Sequence, residues 1–341
     1  MRAKLHVLIA GAGMGGLALA LGLLRRGYRV SLFEKVVDLK EIGAGFMCSP
    51  NGTRVLYALG LREEIDRIEV RIADRDVRLW NTGEAWHLPG HGAGSEQRYG
   101  APFLVLHRVQ VGSPVAGFRQ DSDRVFLRLE DGREIEGDLL IGADGVHSAV
   151  RKCLFGADSP QFTGEIAWRG LIPVERLPER MCRHVTSNWI GPRGSVTMYP
   201  VHRGELLNFV GLVERDDWRV ESWIEQGSHD ECLRDFRGWH DDIHFLIRRI
   251  EQPFKFALFL REPLARWSVG RVSLLGDACH LMLPYGAQGA AQAMEDAAAA
   301  TRAVAARAER LDPEIATTAF VKADRGGKVF VDATRVGGAT V

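Results

Sequence analysis

A chain of 341 residues, 46% hydrophobic, can form one large or two medium domains around a sizeable core. Lys+Arg and Asp+Glu are 44 each, so no net field recruits nucleic acid or an anionic membrane surface, and neither is expected as a partner. Five scattered cysteines without a Cys-x-x-Cys pair (Cys48, Cys153, Cys182, Cys232, Cys279) argue against a disulfide framework or a zinc site. No metal is therefore expected, and the cysteine usage suits a reducing cytoplasm.

In chain order, residues 5–10 (LHVLIA) read as a short apolar strand. Gly11-Ala12-Gly13-Met14-Gly15-Gly16 then opens a helix running to Arg26, and Arg29–Phe33 forms a second strand ending at Glu34-Lys35. The first glycine makes a tight turn, the second lets backbone approach a pyrophosphate, and the third packs helix against strand. A carboxylate at Glu34 suits a ribose diol and repels a 2′-phosphate. The expectation is a bound dinucleotide held by Gly11, Gly13, Met14, Gly15, Gly16, Glu34 and Lys35. The motif alone leaves open whether the dinucleotide is FAD or NAD.

Residues 41–61 are a Gly-rich loop leading to a helix, with Ser49 or Asn51 as N-cap and Gly60 as its stop. Residues 77–88 read as a hairpin about Asn81-Thr82-Gly83, and residues 89–100 show no periodicity. A strand over 103–106 ends in His107-Arg108. A hairpin follows about Asp131-Gly132. The buried strand 138–141 then ends in Gly142-Ala143-Asp144-Gly145, with Ser148 and Arg151 beyond. Asp144 stands at a strand's carboxyl end, and Arg151 could pair with it or with a phosphate; the alternative is that Asp144 merely caps the following helix.

Strand-like segments at 167–173, 195–201, 206–213 and 253–260, with helical pieces between 220 and 250, give the middle of the chain an α+β character. The strand 272–275 then returns to the α/β pattern. It ends in Gly276-Asp277, and a loop with Pro284 and Gly286 leads to an Ala-rich helix over 289–310. The carboxylate sits where ligands bind in open α/β folds. The amides of Gln288, Gly289 and Ala290 offer an anion site at the helix start. The fold class is α/β, with a Rossmann-like domain (1–71, 98–158 and 263–341) interleaved with a smaller α+β domain (72–97 and 159–262) carrying a mixed or antiparallel sheet.

Gly11-x-Gly13-x-x-Gly16 with Glu34, Gly142-Ala143-Asp144-Gly145 with Ser148 and Arg151, and Gly276-Asp277 with Gln288-Gly289-Ala290 resemble, in order and spacing, the single-component FAD-dependent aromatic hydroxylases of the para-hydroxybenzoate hydroxylase fold. Gly43-Ala44-Gly45, Ser49-Pro50-Asn51, Trp168-Arg169-Gly170 and Met294-Glu295-Asp296-Ala297 are similar to the salicylate, 3-hydroxybenzoate and 6-hydroxynicotinate hydroxylase branch. The resemblance spans nearly the whole chain and does not single out a substrate.

It implies a tightly bound FAD, with Glu34 on the adenosine ribose and Arg108 on the ribityl-pyrophosphate region. Gly45 and Pro284 would also contact the cofactor. Asp144 would lie toward the substrate and nicotinamide side, Asp277 on the ribityl hydroxyls, and Gln288, Gly289 and Ala290 on the flavin pyrimidine edge. The smaller domain would hold the substrate. NADH or NADPH would bind transiently, and O₂ would form a flavin C4a-hydroperoxide that hydroxylates a phenolic or heteroaromatic acid such as salicylate or 3-hydroxybenzoate. The implied protein is a cytoplasmic monomer or homodimer.

The chain departs from the pattern at the base. Several relatives carry a His four residues before a strand Tyr; here the Tyr is Tyr199 and the earlier position is Ser195. After Pro284, where some salicylate hydroxylases have a catalytic His, this chain has Tyr285. Tyr199, His202, Tyr285 and Pro284 are the catalytic candidates, with His280 a structural loop residue. After His107-Arg108 the run Val109-Gln110-Val111 leads straight to Gly112-Ser113-Pro114, where the family carries a longer helix. A flavin-dependent reductase or dehydrogenase of the same fold, and a degenerate non-catalytic FAD-binding protein, are the alternative readings.

Overall fold

The structure, a computed structural model, describes residues 5–35, 45–88, 93–106, 115–215, 217, 225–311, 316–317 and 329–330. Gly43, Ala44 and Arg108 lie outside them, as does the short run after Arg108.

A five-stranded sheet runs in the order Ser268–Val269, Val272–Leu274, Leu139–Gly142, His6–Ala10 and Arg29–Phe33. All neighbours are parallel except the first pair. Val7, Leu8, Ile9 and Leu140 are 0% exposed, because a strand inside a parallel sheet is covered on both faces and needs a continuous apolar run. On one face the helices Met14–Leu24, Pro50–Ala58 and Gly289–Leu311 pack through Leu19, Leu23, Leu56, Met294 and Ala298. On the other lie the antiparallel strands Val115–Gln120, Val125–Leu129 and Glu134–Gly137 and the helix Ala149–Phe155.

The second large element is a seven-stranded sheet ordered Phe254–Leu260, Gln161–Pro173, Leu206–Glu214, Gly194–Val201, Val185–Gly191, Asp74–Leu79 and Ala85–Leu88. It is mixed, as expected, since Val185–Gly191 and Asp74–Leu79 pair in parallel while the rest are antiparallel. Strand side chains alternate between faces. One face (Ile166, Trp168, Phe209, Val196) packs on the helices His229–Asp235 and Asp241–Ile247 through Phe236, Ile243 and Ile247. The opposite face carries Arg169, Val210, Thr197 and, one pair along, Tyr199 and Asn208. A small sheet of Phe46–Cys48, Leu104–Leu106 and Val70–Arg71 abuts its Tyr199 end.

Several elements differ from expectation, among them the strands Phe46–Cys48 and Val115–Gln120 and the helix Arg62–Ile68, where none was expected. Residues 93–99, read as aperiodic, form the helix Ala93–Tyr99, and the strand Val185–Gly191 falls where none was expected. The hairpins about Asn81-Thr82-Gly83 and Asp131-Gly132 are present as expected.

Candidate active site

Three strand ends converge. Gly11, at φ 101°, donates its N–H to Phe33 O at 2.6 Å. A side chain at Gly11 would fall 2.2 Å from Ala143 O, so only glycine lets the first loop lie against residues 143–144. At Gly16 a Cβ would meet Gly11 O at 2.0 Å, and at Gly15 it would meet Leu275 Cδ1 at 2.5 Å. The glycine motif thus locks its helix onto its own turn and onto the segment leading to Asp277. Gly13 caps that helix with no side-chain hydrogen bond, so its first amides and positive dipole end remain suited to a pyrophosphate. Met14 is the first helical residue.

Glu34 is buried and accepts from Ala12 N at 2.7 Å and Lys35 N at 2.9 Å. An ionised carboxylate has acceptor capacity beyond two such bonds, which suits ribose hydroxyls. Asp144 does not pair with Arg151. It accepts from Ser148 Oγ at 2.5 Å and Val150 N at 3.1 Å, capping the helix Ala149–Phe155. Burial pushes its pKa up against those bonds. Arg151 is buried; it pairs with Asp158 at 2.6 Å and reaches Cys279 O at 3.4 Å, tying this helix to the segment after Asp277. A helix-start carboxylate satisfies its own backbone first, and that competing partner prevails here.

Asp277 is exposed in a single 3₁₀ turn, and a Cβ at Gly289 would lie 3.9 Å from its Oδ1. Asp277 and the start of the long helix therefore face one another at close range. Asp296, on that helix, accepts from Gly276 N at 2.8 Å and from His280 Nε2 at 2.6 Å. The hydrogen bond to Asp296, then that to Cys279, raises the His280 pKa to about 10. His280 is thus a clamp holding the Gly276-Asp277 turn. At the helix start Gln288 donates to Ser49 Oγ at 3.1 Å, and Asn51 reaches Gln288 at 3.3 Å and Glu295 at 2.8 Å. A cavity of about 840 Å³ opens beside them, lined by Ser49, Asn51, Arg54, Arg98, Phe103 and Gln288. A helix start, a facing carboxylate, a buried strand-end carboxylate and this adjoining space fit a flavin dinucleotide, with Ala290 one residue inside the helix.

The loop between Asp277 and the long helix reaches the large sheet. Leu283, like Val210, packs against the cluster of Ala167, Leu212, Phe256 and Leu258. Pro284 starts a 3₁₀ turn, Ala287 closes it at φ 52° in the left-handed region, and the Tyr285 hydroxyl donates to Glu165 on the strand Gln161–Pro173. Burial, then the Glu165 carboxylate, pushes the Tyr285 pKa up, so the phenol stays protonated although its ring is half exposed.

Beyond this loop the same sheet face carries Tyr199 and Arg169. Tyr199 is buried, donates to Gly45 O at 3.3 Å and has Asn208 as a second hydrogen-bonding neighbour; burial pushes its pKa to about 12. Asn208 Oδ1 is buried with no partner among the described residues. Arg169 lies near enough to feel the Tyr199 phenol, and burial works against its charge. Among the described residues, no hydrogen bond or ion pair holds its guanidinium. The sequence reading passed over Arg169 as a site residue, although Trp168-Arg169-Gly170 was visible. The missing signal was register: pairing with Val210 puts Arg169, and not Trp168, on the face against which Leu283 packs. His202 sits in the hairpin turn after Tyr199, with φ 51°.

The family described as FAD binding domain matches residues 4–318. The 3-amino-4-hydroxybenzoate 2-monooxygenase of Streptomyces platensis is 35% identical over 307 residues, covering 86% of this chain and 77% of the relative. The 3-hydroxybenzoate 6-hydroxylase of Polaromonas naphthalenivorans is 35% identical over 316 residues, covering 86% and 78%. Among solved structures, Klebsiella pneumoniae HpxO in complex with FAD and uric acid superposes with a TM-score of 0.75 at 27% identity, covering 90% of this chain and 82% of that one. No helix among the described residues is long and apolar enough to cross a membrane. On these likenesses the chain belongs to the FAD-binding family of flavoprotein aromatic hydroxylases.

Proposed function

We propose that the protein hydroxylates a small aromatic acid, phenolic or heteroaromatic, with FAD as resident cofactor, NADH or NADPH as reductant and O₂ as oxidant. The observation that carries this reading is Arg169, a largely buried cation with no protein partner among the described residues, beside a protonated Tyr199 on the face that receives the flavin-side loop. A buried guanidinium is costly without an anion. A substrate carboxylate supplies one, and Tyr199 Oη with Asn208 Oδ1 accepts from a ring hydroxyl. When bound, FAD supplies the redox and oxygen chemistry.

The chain's own residues bind, orient and exclude water. Gly11, Gly13, Met14, Gly15, Gly16 and Lys35 frame the dinucleotide, Glu34 takes a ribose, and Asp277 takes ribityl hydroxyls. Gly45 and Asp144 border the same cleft, and Arg108 is proposed on the ribityl-pyrophosphate region. The amides at Gln288, Gly289 and Ala290 stabilise negative charge on the reduced ring. Pro284 and Tyr285, held by Glu165, form the wall between flavin and substrate; His202 is the remaining candidate for a proton acceptor. Residues 72–97 and 159–262 serve as the substrate domain, and 1–71, 98–158 and 263–341 as the cofactor domain. The relatives' acids suggest the substrate class: an amino-hydroxybenzoate, a hydroxybenzoate and, for the structural neighbour, uric acid.

The test is a panel of hydroxybenzoates and hydroxypyridine acids scored for stimulated NADH and NADPH oxidation, with hydroxylated product counted against H₂O₂. At least one acid should stimulate oxidation and yield product in excess of peroxide. Stimulation that leaves every ring unchanged, or a protein that cannot be loaded with FAD, overturns the proposal.

A further inference from the structure

The large sheet has a second pocket on its other face. A cavity of about 160 Å³ lies against the strands Val185–Gly191 and Asp74–Leu79, under the 3₁₀ turn Glu179–Met181 and the helix Asp241–Ile247. Its floor is apolar, made by Trp189, Met198, Leu207 and Leu246. Its charged lining is Arg78, Arg180 and Arg183 against Asp76 and Asp242, a surplus of one positive charge. Strand alternation separates it from the flavin-side face: Met198 pairs with Ser187 and Phe209, whereas Tyr199, the next residue, points to the opposite side.

The charges are arranged unequally. Arg180 is spent on Asp242 through two bonds, at 2.8 and 2.7 Å. Asp76, 2% exposed, draws on three donors, accepting from Arg183 at 2.9 Å, Arg78 at 3.3 Å and His87 Nδ1 at 2.9 Å. Arg183 gives Asp76 one bond, and a guanidinium has further donors in a fixed fork that matches a carboxylate. Arg78 also lies 5.6 Å from the centroid of the Trp189 ring. The space is close to that of a cavity that takes benzene, roughly 150 Å³.

We propose that this cavity is a second binding site for an aromatic monocarboxylate, the ring on Met198, Leu207 and Leu246 and the carboxylate on Arg183 and Arg78. The site is separate from the one beside Arg169 and stands whether or not that one binds substrate. Because Met198 and Tyr199 are adjacent on one strand, an occupant here presses on the backbone that positions the phenol.

The test titrates the FAD-loaded protein with 4-fluorobenzoate, following the probe by fluorine NMR and stoichiometry by calorimetry. Wild type should show two sites. Arg183→Gln, which leaves Asp76 bonded to Arg78 and His87, should weaken one of them about tenfold, the loss of one charge-assisted hydrogen bond. Met181→Trp, on the rim, should fill the space and remove the same site. Arg169→Gln should touch only the other, so failure of the flavin-side reading and of this one are told apart. Whether wild type shows one site or two, the absence of any site that answers to both Arg183→Gln and Met181→Trp, or displacement of the probe from that site by equimolar inorganic phosphate, would overturn the proposal.

Discussion

Arg169 and His280 show how one residue's surroundings assign its work. Arg169 has no protein anion among the described residues, so replacing it should be felt by the ligand rather than by the fold. Arg169→Gln is expected to raise the KM for the aromatic acid about 10- to 100-fold, the value of a charged hydrogen bond, with FAD content unchanged. Steady-state kinetics beside flavin absorbance check this. His280 is the reverse case, a histidine with a carboxylate partner and a structural task. Its folded pKa is raised from 6.5 to about 10, so the pair's stabilisation is complete below 6.5 and is lost as pH rises through about 10. His280→Gln should lower stability by about 1–3 kcal/mol at pH 6. Melting curves of variant and wild type should then converge toward pH 10; a gap constant with pH would contradict the assignment. Neither partner was legible in sequence. His280 reads as a loop residue, and Asp296 lies in an Ala-rich helix whose facing residues are fixed only by packing. Asp144 was legible as a strand-end carboxylate, yet its bonds go to Ser148 and Val150.

At the level of elements, the glycine-motif helix and the flavin-side loop carry opposite expectations. Gly16→Ala puts a methyl against Gly11 O, backbone that cannot swing aside. The helix must move, and the overpacking should cost about 1–3 kcal/mol together with much of the FAD affinity. Flavin content after gel filtration and a thermal melt measure both losses. Tyr285→Phe deletes only the bond to Glu165 from a half-exposed side chain. Stability should therefore hardly change, while a loosened wall admits water and diverts reduced flavin to H₂O₂. The expected outcome is a higher ratio of peroxide to hydroxylated product at nearly unchanged NADH oxidation. Elements marked by turn chemistry were legible: the glycine motif, Asp131-Gly132, and the Gly276-Asp277 stop. The helix Ala93–Tyr99 was hidden because Gly94 and Ser95 weaken its local preference. The strand Val185–Gly191 was hidden because Ser187 and Asn188 interrupt its apolar pattern, although both sit on paired backbone.

For the whole molecule, the interleaving of two sheets was readable because the segment before Gly276-Asp277 returns to the first sheet after the long α+β insertion. What was not readable is which face of the insertion meets the loop bearing Leu283. That depends on the pairing of Gln161–Pro173 with Leu206–Glu214, a register that sequence alone leaves open. The same register places Arg169 and Tyr199 toward the loop bearing Leu283, and the arginine-lined cavity on the far side. The cleft between the loop bearing Leu283 and the sheet is proposed as the place where oxygen meets an aromatic ring. The direct measurement is turnover of the FAD-loaded protein with NADH, the best acid of the panel and ¹⁸O₂, with the product read by mass spectrometry. A ring hydroxyl carrying one ¹⁸O and no turnover under nitrogen are expected. Sustained anaerobic turnover, or a product whose new oxygen comes from water, would contradict that proposal.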